Sequence, residues 1–123
     1  MNSAVGPKNV LAAAAACREA LGNLLERDWS VNAGELEWSC RQTLEHIPNA
    51  QMFYACQLAT GAKDRLPRAI GGADQLSVAE LLASVETNAS VLEHVLRAAP
   101  ASARAFHPAG MADPSGFAAM GCD

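Results

Sequence analysis

Residues 38–61 read WSCRQTLEHIPNAQMFYACQLATG, and this stretch decides the fold class. Cys40, Leu44, Ile47, Tyr54 and Leu58 recur at the spacing that places side chains on one face of an α-helix. Ser39 and Gln42 have the spacing of a capping box, in which each side chain satisfies a backbone N–H that the first turn leaves free. Gly61 is placed to end the helix, because glycine enters the left-handed conformation without steric cost. Pro48 is the irregularity. Inside a helix it removes the bond to the Leu44 carbonyl and costs about 3 kcal/mol or more, so the helix either kinks there or breaks and restarts.

The same periodicity extends on both sides. Upstream, Val10, Leu11, Ala14, Cys17, Leu21, Leu24 and Leu25 predict a helix from Pro7 to Glu26, with Pro7 suited to a first turn. A connector from Arg27 to Trp38 follows, broken at Asn32-Ala33-Gly34 and bracketed by Trp29 and Trp38, which are expected to anchor it on the core. Downstream, residues 62–76 form a longer connector in which Gly71-Gly72 reads as a turn. Ser77 and Glu80 make a second capping box, and Val78, Leu81, Leu82, Val85, Leu92, Val95 and Leu96 predict a helix that Pro100 ends. Asp113-Pro114 reads as a cap and first-turn proline opening a fourth helix of about ten residues. That is short for a helix in water, and Asp123 opposes the macrodipole at its end. The reading is therefore all-α: one helical-bundle domain over 1–123, expected to be incomplete at the C-terminal end.

Composition agrees. Half of the 123 residues are apolar and only 5% aromatic, with alanine prominent in runs such as Ala12 to Ala16. Small side chains suit close helix packing better than a β-sandwich. The net charge is −4, and the nine basic residues are scattered, which argues against a phosphate-binding surface and nucleic acid partners. No apolar run is long enough to span a bilayer, and Lys8 and Asn9 interrupt any signal-like start, so a cytoplasmic location is expected. Cys17, Cys40, Cys56 and Cys122 lack CxxC spacing and read as buried, reduced thiols.

There are three histidines. His46 sits beside the stripe position Ile47, where a core or boundary histidine competes with a metal ligand. His94 lies about 200° from Leu92 around its helix and should face solvent. His107 precedes Pro108 in a loop. Glu45 and Glu93 adjoin histidines but point elsewhere and are expected to be solvated. Asn49 and Ala50, at i+3 and i+4 from His46, offer no second ligand. Cys40 and His46 are about 240° apart on the helix, so a Cys–His dyad is not assumed. No nucleophile elbow, P-loop or dinucleotide-binding motif is present.

The segment WSCRQTLEHIPNAQMFYACQLA, residues 38–59, resembles the second helix of DinB-like proteins, especially the branch near mycothiol-dependent maleylpyruvate isomerase. The shared pattern is a tryptophan, a Ser/Thr cap and Leu-x-His on the helix, here Trp38, Ser39, Leu44 and His46. HPAGMADPSGFAAMGCD, residues 107–123, is similar to the loop and start of the last bundle helix in that group. The two stretches cover about a third of the chain.

The resemblance implies a DinB-like four-helix bundle, its fourth helix incomplete, with a divalent metal between helices, zinc foremost. His46 would be one ligand. The others, an acid or histidine followed four residues later by histidine on the last helix, would fall beyond Asp123. It further implies a thiol-dependent isomerase or transferase acting on a small molecule, with a low-molecular-weight thiol such as mycothiol. Pro48 departs from the family's usual helix former. One credible ligand predicts weak zinc binding or none by this chain. The rival reading is a non-catalytic helical fragment that works by association. A short fourth helix would leave apolar stripes uncovered, so a homo-oligomer is expected.

Overall fold

A computed structural model describes residues 5–67 and 72–123. Four helices account for most of it: α1 (Pro7–Leu21), α2 (Cys40–Thr60), α3 (Val78–Ala98) and α4 (Pro114–Cys122). A 3₁₀ turn, Ala73–Gln75, precedes α3. Isolated antiparallel bridges, Asn32 with Ser39 and Ala105 with Ala112, close the α1–α2 and α3–α4 loops, and no strand occurs among the described residues. No helix among the described residues is long and apolar enough to cross a membrane.

The helix starts follow local chemistry. The Ser39 hydroxyl accepts from the Gln42 N–H at 3.0 Å, and the Gln42 side chain accepts from the Ser39 N–H at 2.9 Å. Ser77 and Glu80 repeat the arrangement at 3.1 and 2.9 Å. Asp113 caps α4 by accepting from the Gly116 N–H at 2.7 Å. Gly61 ends α2 at φ 59°, ψ 32°, the left-handed conformation that other residues reach only with strain. Gly72 lies just before the 3₁₀ turn at φ 93°; its neighbour Gly71, the other half of the expected turn, lies outside the described residues.

Two departures from the sequence reading have clear causes. The first helix stops at Leu21 instead of Glu26. Gly22-Asn23 is a poor helix continuation, and the Leu24 carbonyl is taken by the Trp29 indole N–H at 3.0 Å. Leu24 and Leu25 therefore lie in turns, closed by Leu24 N–H to the Leu21 carbonyl and Arg27 N–H to the Leu24 carbonyl. Secondly, α2 runs unbroken through Pro48, so there is no restart. Pro48 is buried, and its carbonyl accepts from the Asn88 side-chain amide of α3 at 2.9 Å.

The core is built from one face of each helix: Val10 and Ala14 of α1, Leu44, Ala55 and Leu58 of α2, Leu81, Leu82, Val85, Ala89, Leu92 and Leu96 of α3, and Phe117 and Ala118 of α4. Phe117 is fully buried, so the short fourth helix closes more of the bundle than its length suggests. Its last turn comes in tightly: a Cβ on Gly121 would stand 2.7 Å from Leu92 Cδ2. Isolated helices of this length are marginal in water, so α4 depends on this packing.

Gln57 holds the loops at the far end of α2. It is fully buried; Nε2 donates to the carbonyls of Asp64 (3.1 Å) and Phe106 (3.2 Å), and Oε1 accepts from the Leu66 N–H at 2.8 Å. Each buried partner left unpaired costs about 1–3 kcal/mol. Gln57→Leu is therefore expected to destabilise the protein by roughly 2–4 kcal/mol, read as a lower urea midpoint with helical circular dichroism retained before the transition. Electrostatics give a second expectation. Bonds from the Ser77 N–H and its hydroxyl hold the Glu80 carboxyl below its ordinary range, and the Arg97 guanidinium does the same for Glu93. Groups whose folded pKa lies below the unfolded value stabilise the fold above that value, and the contribution is lost as pH falls through the folded pKa. The urea midpoint should be flat from about pH 7 to 5 and fall below about pH 4.5; Glu80→Gln should flatten part of that fall.

Candidate functional site

Helix α2 presents Thr43, Ile47, Ala50, Gln51 and Tyr54 to a groove whose other wall is the end of α4, with Met120, Gly121 and Asp123. His46 lines the same groove, which has a volume of about 230 Å³. The α2 residues come together because 43, 47, 50 or 51 and 54 are successive turns of one helix face.

His46 is exposed, not a core histidine. Its ring lies 5.2 Å from the indole of Trp38 at 49°. Trp38 is itself 47% exposed, so of the two tryptophans only Trp29 packs on the core, and Trp38 instead shelves the imidazole at the mouth of the groove.

Tyr54 stands further along. Its ring contacts His107 at 5.4 Å and Phe117 at 6.0 Å, which ties the groove wall to the loop before α4 and to α4 itself. Burial raises the Tyr54 pKa and the Asp123 carboxylate raises it further, so the phenol stays protonated at neutral pH. Burial and Asp123 act in the same direction on the Cys122 thiol. Asp123 thus places negative charge beside Tyr54 and Cys122 at the α4 end of the groove.

The remaining candidates divide differently from expectation. His107 is buried, and its Nδ1 accepts the Ala109 N–H at 3.0 Å, so the ring braces the loop. His94 is exposed as expected and lies beside Glu93 (3.1 Å) on the outer face of α3. Glu93, however, is not solvated: it is only 8% exposed and is paired with Arg97, while His94 Nδ1 is engaged with the Ser90 carbonyl at 2.7 Å. Glu45 pairs with Arg41 at 3.0 Å, and that guanidinium also reaches the carbonyls of Ala73, Asp74 and Leu76. All four cysteines are unpaired, but they are not buried as expected: Cys56 is exposed and the others half-buried.

For a divalent ion the donor set is an imidazole and a carboxylate, His46 and Asp123, lining one groove. The donor types suit zinc and similar ions, but a catalytic zinc takes about three protein ligands. No cluster of three His, Cys, Asp or Glu side chains with that potential occurs among the described residues.

Sequence reasoning located His46 and missed Gln51 and Asp123 as its groove neighbours. One signal was available: Leu44, Ile47, Gln51, Tyr54 and Leu58 are spaced 3, 4, 3 and 4 apart, so Gln51 is a polar residue in the middle of an apolar stripe.

Four helices around a common core, with a histidine of the second helix facing the last, define a helical bundle with an interhelical groove. The DinB superfamily model matches residues 9–122, and the chain belongs to that superfamily. No curated protein and no solved structure matches this chain.

Proposed function

We propose that the α2–α4 groove binds a divalent ion, zinc foremost, at His46 and Asp123, and brings a small molecule to it. The observation that carries this reading is that an exposed imidazole and a carboxylate line the same groove in a DinB superfamily bundle. Bound there, the ion would act as a Lewis acid toward an oxygen or hold a thiolate. The chain's own residues shape the rest. Ile47, Ala50 and Met120 give the ligand an apolar wall, and the Tyr54 phenol remains a proton donor at neutral pH. The resemblance of residues 38–59 to the maleylpyruvate isomerase branch supports a thiol-dependent isomerase or transferase class, with a low-molecular-weight thiol as co-substrate. Unpaired cysteines suit the reducing cytoplasm in which such thiols work.

Trp38 supplies a direct readout, since its indole lies against the His46 ring. Cobalt(II) titrated into metal-free protein should quench Trp38 fluorescence saturably, and dialysis should remove the ion. His46→Ala should weaken the response by on the order of tenfold or more, because even outer-shell partners of metal sites are worth roughly 10–100-fold. Trp38→Phe should remove the quench and leave binding, measured by cobalt absorbance, in place. A response unchanged in His46→Ala rules out the ligand role.

A second reading, self-association, is favoured by a separate observation. Val31 (52% exposed), Leu36 (54%) and Trp38 (47%) expose large apolar side chains in the connector between α1 and α2. Such patches commonly mark contact surfaces, and a second copy meeting the same face would give a two-fold dimer. Light scattering after size exclusion at micromolar concentration should then report a dimer, and Leu36→Glu a monomer. A monomeric wild type excludes this reading.

A further inference from the structure

Among the described residues, one buried side-chain polar atom has no protein hydrogen-bond partner. Gln51 is only 3% exposed, and its Oε1 is buried without a hydrogen bond. Its Nε2 donates to the Val85 carbonyl of α3 at 3.0 Å. A carbonyl can only accept, so the amide orientation is fixed; turning it over would set two acceptors against each other. What remains is a buried acceptor that no protein group among the described residues serves, and buried acceptors are rarely left without a partner. Gln51 is also one of the residues lining the α2–α4 groove. The Gln57 amide, one helical stretch away, shows the ordinary solution: it is fully buried and both its oxygen and its nitrogen are paired.

We propose that the groove binds a small neutral molecule whose O–H or N–H donor is seated on Gln51 Oε1. The inference rests on the groove being the working site, as above, but not on the metal. The surroundings restrict the ligand further. The volume of about 230 Å³ lies below the roughly 300–1,000 Å³ of pockets for drug-sized ligands, which selects a compact molecule. Ile47, Ala50 and Met120 demand an apolar body. An acceptor-only amide oxygen, with the Asp123 carboxylate in the same groove, disfavours an anionic group at the Gln51 end. The class is thus a small alcohol, phenol or amide: a donor at one end and hydrocarbon at the other. Gln51 acts as a specificity-determining residue, because a ligand of the same shape without the donor would leave Oε1 unpaired.

Phenol and fluorobenzene test this, since they differ by a hydroxyl replaced with fluorine. Both are titrated into the intact chain in EDTA, following by NMR the Gln51 side-chain amide and the backbone amides of Thr43, Ala50 and Gly121. Phenol should bind about five- to tenfold more tightly than fluorobenzene, the range of a typical net hydrogen bond. The Gln51 side-chain signals should move with phenol and stay with fluorobenzene. Gln51→Met should bring the two affinities together. Equal affinities in the wild type, as when a trapped water already serves Oε1, overturn the proposal; so does a preference that survives in Gln51→Met. Should Gln51→Met fail to fold, the side-chain signals of the wild type decide alone. A donor preference without a cobalt response at His46 would refute the metal reading and leave this one standing; a cobalt response without a donor preference would do the reverse.

Discussion

Along the seam between α2 and α3, two side-chain amides cross an otherwise apolar contact. Asn88 of α3 donates to the Pro48 carbonyl, and Gln51 of α2 donates to the Val85 carbonyl. Around them pack Leu44, Ala55 and Leu58 from one helix and Leu81, Val85, Ala89 and Leu92 from the other. This seam lets α2 carry a proline in its interior. The bond lost at Leu44 is a local cost of about 3 kcal/mol. Burial of a Leu-sized side chain returns about 1.5–3 kcal/mol, so a handful of seam contacts holds the helix in one piece. With α2 continuous, His46 and Tyr54 keep a fixed relation on either side of Gln51. The groove exists because that relation is fixed.

The helix ends follow directly from local sequence chemistry. Ser39 with Gln42, Ser77 with Glu80, Asp113 before Pro114 and Gly61 after Thr60 all act where their spacing places them. These signals are legible because each is satisfied within four residues of chain. The failures arise where a distant or competing partner wins. Trp29 takes the Leu24 carbonyl and Gly22 weakens the turn, so periodic leucines did not extend α1. Glu93 is drawn in by its pairing with Arg97 one turn on, a contact that helical phase alone does not reveal. His107 is buried by Tyr54 and Phe117, which reach it from two different helices.

The candidate site shows the same division. His46 was singled out because the tryptophan, cap and Leu-x-His pattern, all within nine residues, resembles the second helix of DinB-like proteins; its spacing alone did not separate a ligand from a boundary histidine. Asp123 joins the groove only because α4 folds back with Phe117 buried and Gly121 pressed to Leu92, which no local pattern encodes. The groove thus brings together His46 and Asp123, the Tyr54 phenol, whose pKa is raised by burial, and Gln51 with its buried Oε1.

The proposed divalent-ion site in this groove has one rival among the histidines. The competing surface is explicit: His94 is exposed and has the Glu93 carboxylate at 3.1 Å. Paramagnetic broadening by cobalt(II) in the amide NMR spectrum separates them, because it falls off steeply with distance from the ion. Thr43, Ile47, Tyr54 and Gly121 should broaden first while Ser90, Val91 and Val95 stay sharp. Broadening centred on residues 90–97 of α3, with the groove amides unaffected, would contradict the groove site.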